Sequence, residues 1–499
     1  MMADLKPYPA YKDSGVEWLG EVPEHWGVST LRRKLRTPDG IKVGPFGSQL
    51  KLEQMSPSGY KVYGQANVIA RDFARGTKFV NQEKFDELSA CEVLPGDLLV
   101  TMMGTSGRCT HVPEDAAMGI MDSHLLRLRT DTSINVRFAS RLIDESPYVK
   151  EQITVAGKGS IMHGLNSGMV KALVLALPPL PEQTAITRFL DYTDRRIQRY
   201  IQAKQKLIAL LEEQRQAIIH QAVTGQIDVR TGQPYLAYKD SGVDWLGEVP
   251  GHWRLARLKD VAQVQTGLTL GNRDYGGVQP ESRPYLSVAN VQVGRLDLTH
   301  VKHIDIPPNE AARVTLRDGD VLMTEGGDID KLGRGCVWHD EIPGCLHQNH
   351  IFAVRCRPRV FHPELLAGLM ASQHGRTYFQ LTAKQTTNLA STNSSTLRAF
   401  PVFLPPIREQ LAIVDALSKQ TVALNNTMDQ VRREISLLNE YRTRLISDVA
   451  TGKLDVREAA ARLPEVDPLE TEADSEESLD TGAESNLDEL GTKVKEVVT

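Results

Sequence analysis

Cys345, His347, His350 and Cys356 have the side chains that bind zinc. A structural zinc site needs four such ligands in a tetrahedron, usually as two closely spaced pairs. Their spacing fits no finger, and the first half of the chain offers only His124 at the matching place, so they are expected to be strand and loop residues. Asp122-Ser123-His124 carries the residue types of a hydrolytic triad. Neighbours along a strand point to opposite faces, so this run is expected to be non-catalytic. No Gly-x-x-x-x-Gly-Lys-Ser/Thr loop is present, which argues against nucleotide hydrolysis by this chain. The Pro-Pro pairs at Pro178, Pro307 and Pro405 lack the neighbours of an amino-methylating motif, and Gly157-Lys158-Gly159 does not sit between a strand and a long helix as a cofactor loop would. The expectation is no catalytic residue, no metal and no cofactor in this chain.

A second set of residues suits recognition rather than catalysis. Base edges in a DNA major groove are read by Arg, Lys, Asn, Gln, Ser and Thr, and phosphates are held by cations, hydroxyls and backbone N–H groups. In the first half the candidates are Lys42, Ser48, Gln49, Gln65, Asn67, Arg71, Arg108, Lys158 and Asn166, with Arg75 beside them. In the second half they are Thr266, Thr269, Asn272, Arg273, Arg295, Lys331, Arg334, Gln348, Asn349, Lys384, Gln385, Thr386, Asn388 and Asn393. Taken singly, each is an ordinary loop residue; as two sets on a duplicated scaffold they are what two different readers would need.

The elements that must position these residues repeat. Tyr11–Trp26 returns as Tyr238–Trp253 with 14 of 16 positions identical, 227 residues on. In the same register Leu177-Pro178-Pro179-Leu180-Pro181-Glu182-Gln183 returns as Leu404-Pro405-Pro406-Ile407-Arg408-Glu409-Gln410, and Thr224-Gly225 as Thr451-Gly452. Prolines start a helix and a Thr-Gly pair stops it. The roughly 40 residues between them have no breaker, giving helices about 60 Å long. Their apolar positions form single seams: Ile186, Leu190, Ile197, Ile201, Ile208, Leu211 and Ile218 in the first, and Ile413, Leu417, Leu424, Met428, Ile435, Leu438 and Leu445 in the second. Two matched seams imply that the helices pack on each other. Antiparallel pairing would send the two globular domains to opposite ends of a rod. Glu182-Gln183 and Glu409-Gln410 are then scaffold residues and not catalytic carboxylates.

Between these elements lie two diverged segments that read as mixed α/β. Pro95-Gly96-Asp97 and Asp318-Gly319-Asp320 are turns feeding buried strands, each followed by a Gly-rich loop and by strands at His124–Arg129 and His350–Arg355. The chain divides on this reading into an N-terminal segment (1–26), a first domain (27–180), a long helix (181–225), a linker repeating the N-terminal segment (226–253), a second domain (254–403), a second long helix (404–452) and a tail (453–499). The fold class is mixed α/β, with a pseudo-twofold internal repeat and an antiparallel coiled coil.

Charge is uneven. The whole chain carries −5, and residues 463–499 alone carry −10 from 12 acidic and 2 basic residues, leaving +5 on the rest. A mildly positive body is compatible with nucleic acid, and the acidic tail, free of aromatics, is expected to be disordered. Five cysteines with no Cys-x-x-Cys pair argue against a disulfide framework, and the absence of an apolar run of about 18 residues argues against a membrane span. With no signal-peptide core, a cytoplasmic location is expected.

In order and in duplicate, the Tyr-Lys-Asp-Ser-Gly-Val-x-Trp-Leu-Gly-x-x-Pro-x-His-Trp segment, the Gly-Asp strand, the Leu-Pro-Pro-x-x-Glu-Gln helix start and the Thr-Gly-x-(Ile/Leu)-Asp-Val-Arg exit cover residues 1–457. In these the chain resembles the specificity subunit of type I restriction-modification systems; the acidic tail has no counterpart in the resemblance. The resemblance implies two target-recognition domains, each reading one half of a split asymmetric sequence in double-stranded DNA. It implies that the helices set the spacer and dock two modification subunits, and through them restriction subunits. S-adenosylmethionine, ATP and Mg would belong to those partners. The alternatives are a free-standing nuclease or methyltransferase, which needs motifs not found, and a stand-alone two-domain DNA-binding or bridging protein without methyltransferase partners.

Overall fold

The structure is a computed structural model. It describes residues 5–464 except 47–48, 158–163, 270–277, 293, 328–331, 334 and 386–389. The stretch expected to be disordered, from residue 465 on, lies outside the described residues. So do the candidates Ser48, Lys158, Asn272, Arg273, Lys331, Arg334, Thr386 and Asn388. The chain forms two compact units. Unit 1 is Met1–Ala203 together with the chain from Glu434 on, and unit 2 is Lys204–Arg433.

Each unit is built the same way. In unit 1 strand Gly27–Thr30 pairs antiparallel with Val174–Leu177, so the first and last strands of the domain close on each other. In unit 2 Arg254–Arg257 pairs with Pro401–Leu404 in the same manner. Within that closure, unit 1 has a four-stranded sheet in the order Ile41–Val43, Leu125–Leu128, Leu98–Thr101, Cys109–His111. Unit 2 repeats it as Ala262–Thr266, Ile351–Cys356, Asp320–Thr324, Gly335–Val337. A second sheet pairs Tyr60–Tyr63 in parallel with Gly119–Met121, and its twin pairs Glu281–Leu286 in parallel with Leu346–His347. The central strands Leu98–Thr101 and Asp320–Thr324 are buried at every residue; Leu98–Val100 and Val321–Met323 are apolar runs closed by a Thr, as strands covered on both faces should be.

The Gly-Asp turns acquire a reason. Gly96 and Gly319 have φ of 80° and 82°, where a side chain is strained. The following aspartates are buried. Asp97 accepts from the Leu94 amide and pairs with Arg129, and Asp320 accepts from the Arg317 amide and pairs with Arg355. Each carboxylate therefore closes its own turn and ties two neighbouring strands.

The long helices are Leu180–Val223 and Ile407–Ala450, each of 44 residues, or about 66 Å at 1.5 Å per residue. In unit 1 Ile186, Phe189 and Leu190 of the first share a core with Leu445, Ile446 and Val449 of the second, and Asp194 pairs with Arg442. In unit 2 Ala222 and Val223 of the first share a core with Ile413 of the second. In each unit the beginning of one helix meets the end of the other, so the pairing is antiparallel. Ile186, Leu190, Ile197, Ile201, Ile413, Met428 and Leu445 are buried; Ile208, Leu211, Ile218, Leu417, Leu424, Ile435 and Leu438 are half-buried. Ile186 and Leu190 also pack on Phe138 and Leu142 of the globular domain, so this part of the seam serves the domain core as well as the helix pair. Among the described residues no helix is long and apolar enough to cross a membrane.

The repeated aromatic segment fastens the helix starts. Glu182 accepts from Tyr8 Oη (2.6 Å) and Trp26 Nε1 (2.9 Å) and lies 2.7 Å from His25 Nε2. Glu409 accepts from Trp253 Nε1 (3.2 Å), lies 2.7 Å from His252 Nε2 and has Arg230 at 3.6 Å. Gln183 and Gln410, one residue on, accept the backbone N–H of Asn135 and of His362 and so hold the first short helix of each domain.

Candidate nucleic-acid interface

The antiparallel register gathers three connections at one end of each four-stranded sheet. Val43 pairs with Leu126 and Thr101 with Leu125, so the loops after Val43 and Thr101 and the turn before Leu125 share that end in unit 1. Thr266 pairs with Phe352 and Thr324 with Ile351, which brings the same three connections together in unit 2. The backbones there pass so closely that only glycine fits. A Cβ on Gly44 would lie 1.8 Å from the Asp122 carbonyl oxygen, and one on Gly267 would lie 2.2 Å from that of His347.

Several candidates present polar groups at or near these ends. Gln49 is exposed and its Oε1 accepts the Phe46 amide; Phe46 itself stands 78 % exposed. Lys42 and Gln65 are half-buried. In unit 2 Thr266, Thr269, Arg295 and Lys384 are exposed. Gln348 and Asn349 are half-buried in the turn before Ile351, and Gln348 Oε1 accepts the Val288 amide. Lys384-Gln385 forms a strand beside Ala390-Ser391, which in turn pairs with Gly326-Gly327 of the loop after Thr324. Arg75 is exposed, and its amide donates to Asp72.

Five candidates already have hydrogen-bond or ion-pair partners within the fold. Asn67 is buried; it accepts the Gly64 amide and donates to the carbonyls of Asp72 and Arg75. Arg71 pairs with Asp144 and Glu145, and Arg108 pairs with Asp144. Asn166 and Asn393 are helix N-caps, accepting from Met169 and from Ser395 and Thr396. The hydrogen-bonding groups that suit a base edge suit a turn or a helix end equally well.

Asp122-Ser123-His124 forms a turn and not the start of a strand, because Asp122 accepts the His124 amide two residues on. Cys345 and His347 are buried and Cys356 sits on the Ile351–Cys356 strand; His350 is exposed and lies 2.6 Å from Glu325. Among the described residues no group of three or more His, Cys, Asp or Glu could hold a metal.

Some structure-bearing residues escape sequence reading. Asn290 makes the same three hydrogen bonds as Asn67: it accepts the Ser287 amide and donates to the carbonyls of Asp297 and His300. Its signal is the repeated Ala-Asn-Val at Ala66 and Ala289. That repeat is shifted by 223 residues, so a comparison at the fixed 227 register passes over it.

No family model matches the chain. It is 24% identical over 209 residues to the putative type I restriction enzyme MjaX specificity subunit of Methanocaldococcus jannaschii, a match covering 41% of this chain and 47%, about half, of that relative's length. It is 21% identical over 443 residues to the type I restriction enzyme EcoKI specificity subunit of Escherichia coli K12, covering 87% of this chain and 90% of that one. With the EcoBI specificity subunit of Escherichia coli it shares 24% identity over 375 residues, covering 72% and 74%. A solved chain from work on complex assembly and conformational transition of the type I R-M system superposes with a TM-score of 0.57 at 16% identity, over 87% of this chain and 99% of that one, and so shares its fold. Duplicated motifs, duplicated topology and relatives matched over most of their length point the same way: the chain is similar to the specificity subunits of type I restriction enzymes.

Proposed function

We propose that this chain is the cytoplasmic DNA-recognition subunit of a type I restriction-modification complex, with each domain reading one half of a bipartite asymmetric target. The observation that carries this reading is the repetition of one sheet order in both units with different side chains on the loops at the same end. Scaffolds that share one sheet order but carry unlike loops are suited to reading two unlike half-sites. The exposed Thr266, Thr269, Arg295 and Lys384 in unit 2 and Gln49 with half-buried Lys42 and Gln65 in unit 1 are the described candidates for contact.

On this reading the chain itself does no catalysis. Two modification subunits supply adenine methylation with S-adenosylmethionine, and restriction subunits add ATP- and Mg-dependent steps. Each long helix gives one half to each unit, so the helices set the spacing of the half-sites. Half-sites on one face of B-DNA are about 34 Å apart per turn, within the length of these helices.

The test is a domain exchange. Replacing residues 27–176 by the corresponding segment of another specificity subunit, and assembling the product with modification subunits, should change the methylated sequence in one half-site only. Unchanged sequence preference would refute the assignment of reading to this segment, and methylation by the purified chain without partners would refute its non-catalytic role.

A further inference from the structure

His124 and His350 end the turns that lead into Leu125–Leu128 and Ile351–Cys356, at the sheet end where the candidate loops gather. The two turns share one backbone arrangement. The Leu125 amide donates to the Asp122 carbonyl, and the Ile351 amide donates to that of Gln348. The His124 carbonyl accepts the Met102 amide, and the His350 carbonyl accepts the Glu325 amide, each at 2.9 Å. These are main-chain bonds that any residue could make. The two side chains are 52% and 55% exposed, so neither fills a core. The fold therefore does not call for histidine at either place.

Each imidazole nevertheless has a carboxylate at Nδ1. Asp122 Oδ2 lies 3.6 Å from His124 Nδ1, with Ser123 Oγ 3.4 Å from the same nitrogen. Glu325 Oε2 lies 2.6 Å from His350 Nδ1. The two acids come from different elements. Asp122 sits two residues before His124, where unit 2 has Gln348; Glu325 follows the central strand, where unit 1 has Met102. The pairing of histidine with carboxylate is thus present in both units although the acid has changed place. The other ring nitrogen is left over. Nε2 of His124 has no partner among the described residues, and Nε2 of His350 has the Asn349 amide nitrogen at 3.5 Å.

We propose that His124 and His350 each hold a backbone phosphate of the bound duplex through Nε2, one in each half-site. This rests on the function proposed above. The ligand follows from what the two units have in common. Their loops differ, so a contact to a base edge has no reason to be the same in both, whereas the sugar-phosphate backbone is shared by any two half-sites. The protonation state follows from the ring. A carboxylate that accepts Nδ1–H fixes the imidazole, and Nε2 then donates to a phosphate oxygen only when the ring carries both protons. The charged groups that face the rings are Asp122, itself influenced by Lys78, and Glu325. Each contact takes up a proton on binding, so affinity falls as pH rises through the range in which histidine titrates.

The experiment measures binding of the full chain, assembled with its modification subunits, to a duplex carrying the sequence that the complex methylates, at about pH 6 and about pH 8. His124→Gln and His350→Gln keep a hydrogen-bonding group but cannot take the proton. Each should weaken binding roughly tenfold at the lower pH and about twofold or less at the higher one, with the methylated sequence unchanged. Methylphosphonates placed one at a time in the duplex remove single phosphate charges. One position in each half-site should weaken binding by the wild type and cost nothing further in the matching variant. That comparison is made within a single variant, so a lowered melting temperature does not blur it. A variant that binds like the wild type at both pH values, or in which every methylphosphonate keeps its full effect, would overturn the contact of that histidine. A variant that relaxes one base of its half-site would overturn it in favour of base reading. A wild-type complex that binds no duplex would overturn the proposed function and both contacts with it.

Discussion

Trp18 and Trp245 occupy one place in the two repeats but stack on different rings, Tyr148 with centroids 5.9 Å apart and His374 with centroids 6.0 Å apart. Trp245 Nε1 donates to His374 Nδ1, and His374 Nε2 is 3.0 Å from the Pro401 carbonyl, which fits a neutral ring with its proton on Nε2. Burial pushes His374 down to about 4, with the Pro401 hydrogen bond opposing and His220 adding. His347, buried with neither ring nitrogen partnered, is also pushed down to about 4, by burial first and then by Arg355. The folded values lie below the unfolded value near 6.5, so the unfolded chain takes up protons first. The stabilising contribution is full above that pH and is lost as pH falls toward 4. Unit 2 should therefore lose about 2 kcal/mol per histidine between pH 7 and 5. Hydrogen exchange of unit 2 peptides at the two pH values checks this, and His374→Phe should remove the share of His374. A variant with the pH dependence of the wild type would contradict it. At this scale the sequence offers residue types and hides their commitments. Asn393 has the amide of a base reader, but it caps the helix Ser394–Ala399. Asn393→Ala should cost about 1 kcal/mol of stability, read as a lower melting temperature. An unchanged melting temperature together with lost half-site binding would return Asn393 to the DNA.

At the scale of elements the sequence was far more legible, because the long helices are bounded by backbone chemistry and not by partners. Pro-Pro starts them, and Gly225 and Gly452 follow their ends with φ of 74° and 75°. Both glycines are also places of close approach. A Cβ on Gly452 would lie 2.3 Å from Pro23 Cδ, and one on Gly225 would lie 2.4 Å from Pro250 Cδ. Gly452→Ala adds backbone strain to a clash with a rigid ring that the repeated aromatic segment holds in place. It should destabilise unit 1 by about 2 kcal/mol or more, and Gly225→Ala should do the same to unit 2. The seam was legible in its period but not in its depth. Ile186 is buried under the globular domain as well as the second helix, whereas Ile208 is half-buried. Ile186→Ala should therefore cost about 3 kcal/mol and Ile208→Ala about 1, measured by denaturant unfolding. Equal costs would mean that the coiled-coil seam alone sets the energetics. The strand pairings were less legible, since short strands such as Glu92-Val93 and Leu346-His347 gain their identity from neighbours distant in sequence.

Across the whole molecule one junction appears once as continuous chain and once as two separate segments. In unit 2 Asp228 bridges Gln233 across a short turn that runs through Thr231-Gly232 and leads to Tyr235, which packs edge-on against Trp253. In unit 1 the equivalent bridge joins Asp455 to Lys6, Tyr8 packs on Trp26 in the same way, and Arg457 lies over the Tyr8 ring at 5.1 Å. The residues read Asp-Val-Arg-Thr-Gly-Gln-Pro-Tyr in one case, and Asp-Val-Arg followed by Lys-Pro-Tyr from the other end of the sequence in the other. Each unit therefore contains the same closure, and the covalent turn adds only a small loop-closure entropy to contacts already in place. A permuted chain should exploit this. Arg457 would be joined through Thr-Gly to Lys6, and the chain opened between Thr231 and Gly232. The cost should be modest, because what is discarded beyond Arg457 is the rest of the short helix Arg457–Ala461 with its buried Ala460, the buried Leu463 side chain, and the carbonyls of Leu463 and Pro464 that accept from Arg188. The permutant should fold, melt within about 5 °C of the parent, and keep both half-site preferences when assembled with modification subunits. Circular dichroism and sequencing of methylated sites would check these outcomes. A permutant that folds but changes one half-site would show that the turn at Thr231-Gly232 helps to position a reading domain. One that fails to fold would show that the two closures are alike in geometry but unequal in strength.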